Sequence, residues 1–238
     1  MDNLLRHPLS RRRLLETLPA AGAASLLGTT ASYSATGHLT IIQGADADTL
    51  DPTHQSQLHN ETLIAAMCEK LLLPSKTSPG EYEPLLATSW KPVGGEKWRV
   101  TLREGVKFHN GADFNARTAK WSLDHFFSKA LARTMFRGVS RVEIVDDHTI
   151  DLYTVAPNGL IPTYLGGLVF MLEPGWMSGP DYSPGKIVGT GPYRLVEWSK
   201  GQHVTMEEFQ GYWGKPQAFK TVSWRPIAEG STRVAALL

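Results

Sequence analysis

Cysteine is almost absent from this chain, and so is any surplus of one charge. Cys68 is the single thiol among 238 residues, which excludes an internal disulfide, a Cys-based zinc cluster and a CxxC redox pair. It sits in the apolar run Leu63, Ile64, Ala65, Ala66, Met67, where a buried, inert thiol is expected. The formal net charge is +1. Arg6, Arg11, Arg12 and Arg13 outnumber Asp2 and Glu16 in the first 35 residues, leaving 20 basic and 21 acidic side chains in the rest. That balance removes the electrostatic reason to expect nucleic acid or an anionic membrane as partner. Catalytic signatures are missing too. G-x-S-x-G, HExxH and Ser-x-x-Lys do not occur in a supporting context, and Asp147-His148 reads as a hairpin turn rather than a dyad. A hydrolase is the disfavoured alternative, and no catalytic residue, metal site or cofactor is assigned. With 42% hydrophobic and 20% charged residues, the composition is that of a soluble globular chain able to bury a sizeable core.

What is present begins with a leader. Ser10-Arg11-Arg12-Arg13-Leu14-Leu15 supplies paired arginines, and Leu14 to Leu27 is mostly Ala, Leu and Gly, interrupted by Glu16. Those 14 residues would rise about 21 Å as helix, short of the roughly 30 Å hydrocarbon core. Small residues follow, and a peptidase site falls after Ala31 or Ala35. Residues 1–35 therefore read as an export signal of twin-arginine type, which places the mature chain in the periplasm.

In the mature chain, His38 to Gln43 (HLTIIQ) is a β-branched first strand. It runs into Asp46, Asp48 and Asp51, whose spacing invites a calcium reading. An EF-hand loop counted from Asp46 would put Leu50, Asp51 and Gln57 where a ligand, a Gly and a Glu are needed. A solvated turn is expected instead. Asn60 is the candidate cap of a helix from Glu61 to about Leu72, ended by Pro74. His54 and His59 are not one helical turn apart, which argues against a metal pair. Glu81 to Trp90 suggests a short helical turn after Pro84. Trp98, Val100 and Leu102 alternate as a strand. Gly105 and Asn110-Gly111 mark turns, and Asn115 caps a helix that buries Ala119, Leu123 and Phe126 or Phe127. Val139–Val145 and Thr149–Val155 form a hairpin, and Phe219–Trp224 is a further strand. From Glu229 a helix with a Val234, Leu237, Leu238 stripe runs to the last residue without a capping Gly, Asn or Pro.

The organising stretch is Lys186 to Trp213. Gly189, Gly191 and Pro192 predict a tight bend using the left-handed freedom of glycine. Tyr193 to Trp198 alternates as a strand with Tyr193, Leu195 and Glu197 on one face and Arg194, Val196 and Trp198 on the other. Ser199 to Gln202 turns it back into His203–Glu208. A Gly-Tyr-Trp-Gly segment closes the unit. A Pro where a helix would start rules out a dinucleotide fingerprint.

Three blocks, DADTLDP after the first strand, P-x-LATSW…W-x-V-x-LREGVKFHNG-x-x-FNA, and GTGPYRLVEW followed by YWG, resemble the extracytoplasmic solute-binding proteins of the peptide/nickel family that serve ABC importers. The resemblance implies an α/β, periplasmic-binding-protein-like (class C type) first lobe of mixed sheets with flanking helices. Residues 36–60 and 186–238 would form a hinge-proximal subdomain around an inserted subdomain, 61–185. Family members continue into a second lobe, so the chain is expected to be a C-terminally truncated piece with that lobe missing. The implied function is binding without catalysis: a di- or oligopeptide, a nickel chelate, an opine or an oligosaccharide is enclosed between lobes. It is then delivered to a membrane permease by a receptor that is monomeric at full length. A truncated remnant that binds nothing is the alternative. Asp48, Thr49 and Leu50 are the cleft candidates that the resemblance supplies, with Trp176 beside them. His109 is expected to be structural, and Asn110 stands where the family turn often carries an acid.

Overall fold

The computed structural model describes residues 37–53, 58–129, 138–167, 169–180, 182–183 and 186–236, all within the compact unit Ser34–Leu238. The export signal, the His54 of the histidine pair and the Leu237–Leu238 end of the final stripe lie outside these residues.

Strand β1 (Gly37–Gln43) pairs in parallel with β10 (Phe219–Pro226), setting Leu39 beside Val222 and Ile41 beside Trp224. The antiparallel strands β8 (Tyr193–Ser199) and β9 (His203–Glu208) complete a four-stranded sheet in the order β1-β10-β9-β8. The two ends of the described chain thus share one sheet. The β8–β9 hairpin forms where the sequence predicts, but the face assignment does not survive along β8. A bulge falls between Leu195 and Glu197, so Trp198 pairs with Val204 and returns to the core face with Tyr193 and Leu195. One extra residue reverses the two-residue alternation beyond it, and it leaves Val196 55% exposed.

The second sheet is antiparallel throughout, in the order β4-β5-β7-β6, from β4 (Ala87–Pro92), β5 (Lys97–Leu102), β6 (Val139–Asp146) and β7 (Thr149–Thr154). Helix α2 (Ala116–Ser128) packs on β6 and β7 and buries Ala119 and Leu123. Its start is fixed by a capping box: the Asn115 side chain accepts from the N–H groups of Arg117 and Thr118, and the Thr118 hydroxyl accepts from the Asn115 N–H. Such a cap contributes about 1 kcal/mol. Phe108 and Phe114 close the core below the turn, edge to face at 6.2 Å.

Two sequence expectations fail here. Helix α1 runs Leu58–Met67, so Asn60 lies inside it rather than at its cap, and it stops well before Leu72. The reason is that two cores compete for the stripe. Leu63, Ile64, Met67 and Cys68 are buried with the first sheet, whereas Leu71 and Leu72 are buried with the second. No single helix face serves both, so the chain leaves the helix and forms β2 (Leu72–Pro74). Its partner is β3 (Tyr82–Pro84), and with β4 this replaces the helical turn expected after Pro84. Both prolines sit at strand ends, where a missing N–H costs least.

Three short helices complete the described elements: α3 (Ile161–Gly166), α4 (Pro174–Ser178) and α5 (Gly230–Ala235). Val234 on α5 is 61% exposed. Among the described residues no helix is long and apolar enough to cross a membrane.

Candidate functional site

The loop after β1 is held from three sides, one carboxylate at a time. Asp46 accepts from the Gly201 N–H at 2.6 Å, which clips the loop to the β8–β9 turn. Asp48 accepts from the side-chain amide of Asn60, itself fully buried in α1. Asp51, 4% exposed, accepts from the Thr53 N–H and hydroxyl and from the Tyr182 hydroxyl at 2.6 Å. The three acids therefore diverge to separate partners, and among the described residues no group of His, Cys, Asp or Glu is set to hold a metal ion.

The predicted site residues separate by burial. Asp48 is exposed and Thr49 half-buried, its hydroxyl accepting the Asp51 N–H at 3.0 Å. Leu50 is fully buried in the first-sheet core, so its side chain anchors the loop. Trp176 rides on α4, begun by Pro174 and capped by Glu173, whose carboxylate accepts from the Gly175 and Trp176 N–H groups at 2.9 and 2.6 Å. Its ring meets Tyr182 edge to face at 5.3 Å, and its indole N–H is buried with no hydrogen-bond partner among the described residues. Tyr182 thus joins the Trp176 turn to the loop after β1. Burial first, and the Asp51 carboxylate second, push its hydroxyl up to about 12, so it stays a donor at neutral pH.

Behind this site the sequence blocks meet. His109 of the FHNG turn donates its backbone N–H to the Gly189 carbonyl at 2.9 Å, and its Nε2 lies 3.0 Å from the Gly191 carbonyl oxygen. The Gly189 N–H reaches Nδ1 at 3.3 Å. Carbonyls only accept, so these contacts fit one neutral tautomer with the proton on Nε2. Burial lowers the imidazole to about 4, against the opposing hydrogen bond to Gly191. His109 is structural, as the resemblance implied. Asn110 donates to Glu173 at 3.1 Å, tying the same turn to the cap beneath Trp176.

The YWG aromatics have a partner that sequence reading missed. Glu69, 5% exposed, accepts from the Tyr212 hydroxyl and the Trp213 indole N–H, both at 2.9 Å. The Arg103 guanidinium lies 4.2 Å over the Trp213 ring. Burial raises the Glu69 carboxyl above its usual range, while the two aromatic donors pull it back. Next to it, burial and then the charges of Glu69 and Asp51 push the Cys68 thiol well up, which makes it inert. Tyr212 and Trp213 were visible in the sequence as a motif; that they converge on one carboxylate far along the chain was not.

Residues 81–238 match the family described as bacterial extracellular solute-binding proteins, family 5 Middle, and the chain belongs to that family. Its relatives include the glutathione-binding protein GsiB of Escherichia coli (strain K12), 29% identical over 228 residues that cover 92% of this chain and 44% of GsiB. An ABC transporter substrate-binding protein from Sinorhizobium meliloti superposes with a TM-score of 0.76 at 29% identity, over 84% of this chain and 41% of that one. DppA from Helicobacter pylori, in complex with peptide STSA, superposes with a TM-score of 0.75 at 25% identity, over 84% of this chain and 44% of that one. These likenesses fix the fold as the α/β, periplasmic-binding-protein-like one. The chain spans less than half the length of the curated relatives it matches.

Proposed function

We propose that this chain supplies the first lobe of a periplasmic receptor that binds a di- or oligopeptide, or a peptide-like conjugate such as glutathione. The receptor presents the solute to the membrane permease of an ABC importer without altering it chemically. Residues 1–35 act as its twin-arginine export signal, cut near Ala31 or Ala35. Membership of the solute-binding family supports the role, and the ligand class rests on the relatives named for glutathione and solved with a peptide. One observation carries the placement of the site: the Asp51–Tyr182 hydrogen bond brings the loop after β1 beside Trp176 across a long stretch of chain. Asp48 and Thr49 offer polar groups there and Trp176 an aromatic face, with Leu50 as the buried anchor.

The division into 36–60 with 186–238 around an inserted 61–185 is supported by the two sheets, which draw on those segments separately. The packing of Leu63 to Cys68 with the first sheet favours drawing the line between Cys68 and Leu71.

The test is thermal unfolding with glutathione and with short peptides, followed by mass spectrometry of the added peptide. A ligand of the native state alone raises the melting temperature; at about 100 times its Kd it adds about 2.7 kcal/mol. A rise with the peptide recovered intact is the expected result, and cleaved peptide overturns it. A second reading, a lobe that holds no solute by itself, is favoured by the 44% coverage of GsiB. Unchanged melting with every probe supports it.

A further inference from the structure

Two aromatics stand at the border of the second core, Tyr82 on β3 and Trp90 on β4, and both pack against it while remaining half-buried. Trp90 lies opposite the buried Val100 and so shares its core face, with Lys91 turned to the other side of the strand. β4 is the last strand of its sheet, which puts the indole at the margin of the core rather than its centre. Tyr82 lies against helix α3, where a Cβ on Gly166 would stand 2.6 Å from its ring. Beside these rings opens a hollow of about 340 Å³, whose lining includes both of them with Glu81, Gly159, Pro162 and Thr163. That volume falls within the roughly 300–1,000 Å³ of small-molecule sites.

Hydrogen bonds brace both rims. The loop before β3 is closed by the Ser75 N–H donating to the Glu81 carbonyl at 2.9 Å and by the Glu81 N–H donating to the Ser78 carbonyl at 3.1 Å. On the opposite rim the Trp98 indole N–H donates to the Asn158 carbonyl at 3.0 Å, and the Asn158 side chain accepts from the Leu160 N–H at 2.9 Å. Gly159 is held between those two bonds. Such bracing limits the ordering that a ligand must bring about.

Of the described residues that line the hollow, Glu81 alone is charged, and it is exposed. An indole, a phenol ring and a carboxylate together favour a cation, because the ring faces carry negative potential and the carboxylate a full charge. A primary ammonium would need an acceptor for each of its three N–H groups. A quaternary ammonium needs none, and its methyl groups suit Pro162 and the rings. We propose that this hollow binds a small quaternary ammonium cation, with Tyr82 and Trp90 against its methyl groups and Glu81 balancing its charge. The site draws on residues packed on the second core, whereas Leu50 and Trp176 pack on the first. It is therefore separate from the loop after β1 and stands whether or not that loop binds a peptide.

Isothermal titration calorimetry of the full chain tests it, with choline and with its uncharged isostere, in which carbon replaces the quaternary nitrogen. Choline binds in the millimolar range, and the isostere at least about tenfold more weakly. Glu81→Gln, at an exposed position, removes the charge and weakens choline by about threefold to fivefold. Thr163→Trp, exposed on α3, fills the hollow and abolishes binding. Circular dichroism and melting temperature check that both variants fold. Absence of choline binding, an isostere that binds as tightly, or a choline affinity indifferent to either variant overturns the proposal.

Discussion

The Nε2 of His109 donates to the carbonyl of Gly191 at 3.0 Å while its Nδ1 receives the Gly189 N–H at 3.3 Å, so one neutral ring bridges both glycines of the GTG bend. Protonation removes the acceptor and sets an N–H against an N–H. The ring titrates near 4 in the folded chain, against about 6.5 when unfolded. Between those values the unfolded state binds more protons, so stability rises with pH there. It is full above about 6.5 and is lost as pH falls toward 4, by up to about 3 kcal/mol for this group. Denaturant unfolding of the wild type and His109→Gln across that window measures it. The variant is less stable at neutral pH, and the gap closes as the pH drops.

The bend itself is built by close approach rather than by left-handed backbone. Gly189 and Gly191 are not among the glycines at positive φ. A Cβ on Gly189 would stand 2.1 Å from the Met67 carbonyl oxygen, and one on Gly191 2.6 Å from the Met67 carbonyl carbon. Both contacts are with backbone at the end of α1, which has nowhere to move. Gly189→Ala is therefore expected to cost more than the roughly 1–3 kcal/mol of ordinary overpacking. Gly201→Ala, strained only by its φ of 78° in an open turn, costs about 1–2 kcal/mol. Comparing the two denaturation midpoints checks the order.

Asn110 is an amide where the family turn often has an acid, and its partner gives the reason. Its Nδ2 donates to Glu173, 8% exposed, which already caps the Trp176 turn. Asn110→Asp replaces that hydrogen bond with two carboxylates in contact, and about 1–3 kcal/mol is lost. The loss shrinks as pH falls and one acid is protonated. Urea melts at neutral and acidic pH show whether the penalty is electrostatic; a penalty independent of pH points to the turn geometry instead.

Much of this protein is legible from local chemistry. The β8–β9 hairpin, the β6–β7 hairpin, the Asn115 cap and the inert Cys68 each depend on neighbours within a few residues, and turn, capping and burial preferences act over that range. The errors share one cause. Leu63 to Leu72 reads as one amphipathic helix because its apolar spacing is helical, but the two ends of that run are claimed by different cores. Along β8 the alternation is interrupted by a bulge that only the pairing with β9 defines. At the candidate site the sequence supplied Asp48, Thr49, Leu50 and Trp176 separately, through resemblance. The bond of Tyr182 to Asp51 and its ring contact with Trp176 join residues far apart in the chain, as do the convergence of Tyr212 and Trp213 on Glu69 and the match of Asn110 to Glu173. Sequence determined the elements, because hydrogen bonding within a turn or hairpin is local. Tertiary structure decided which buried carboxylate each distant donor would satisfy, because a buried polar group takes its partner from whatever the packing brings within reach.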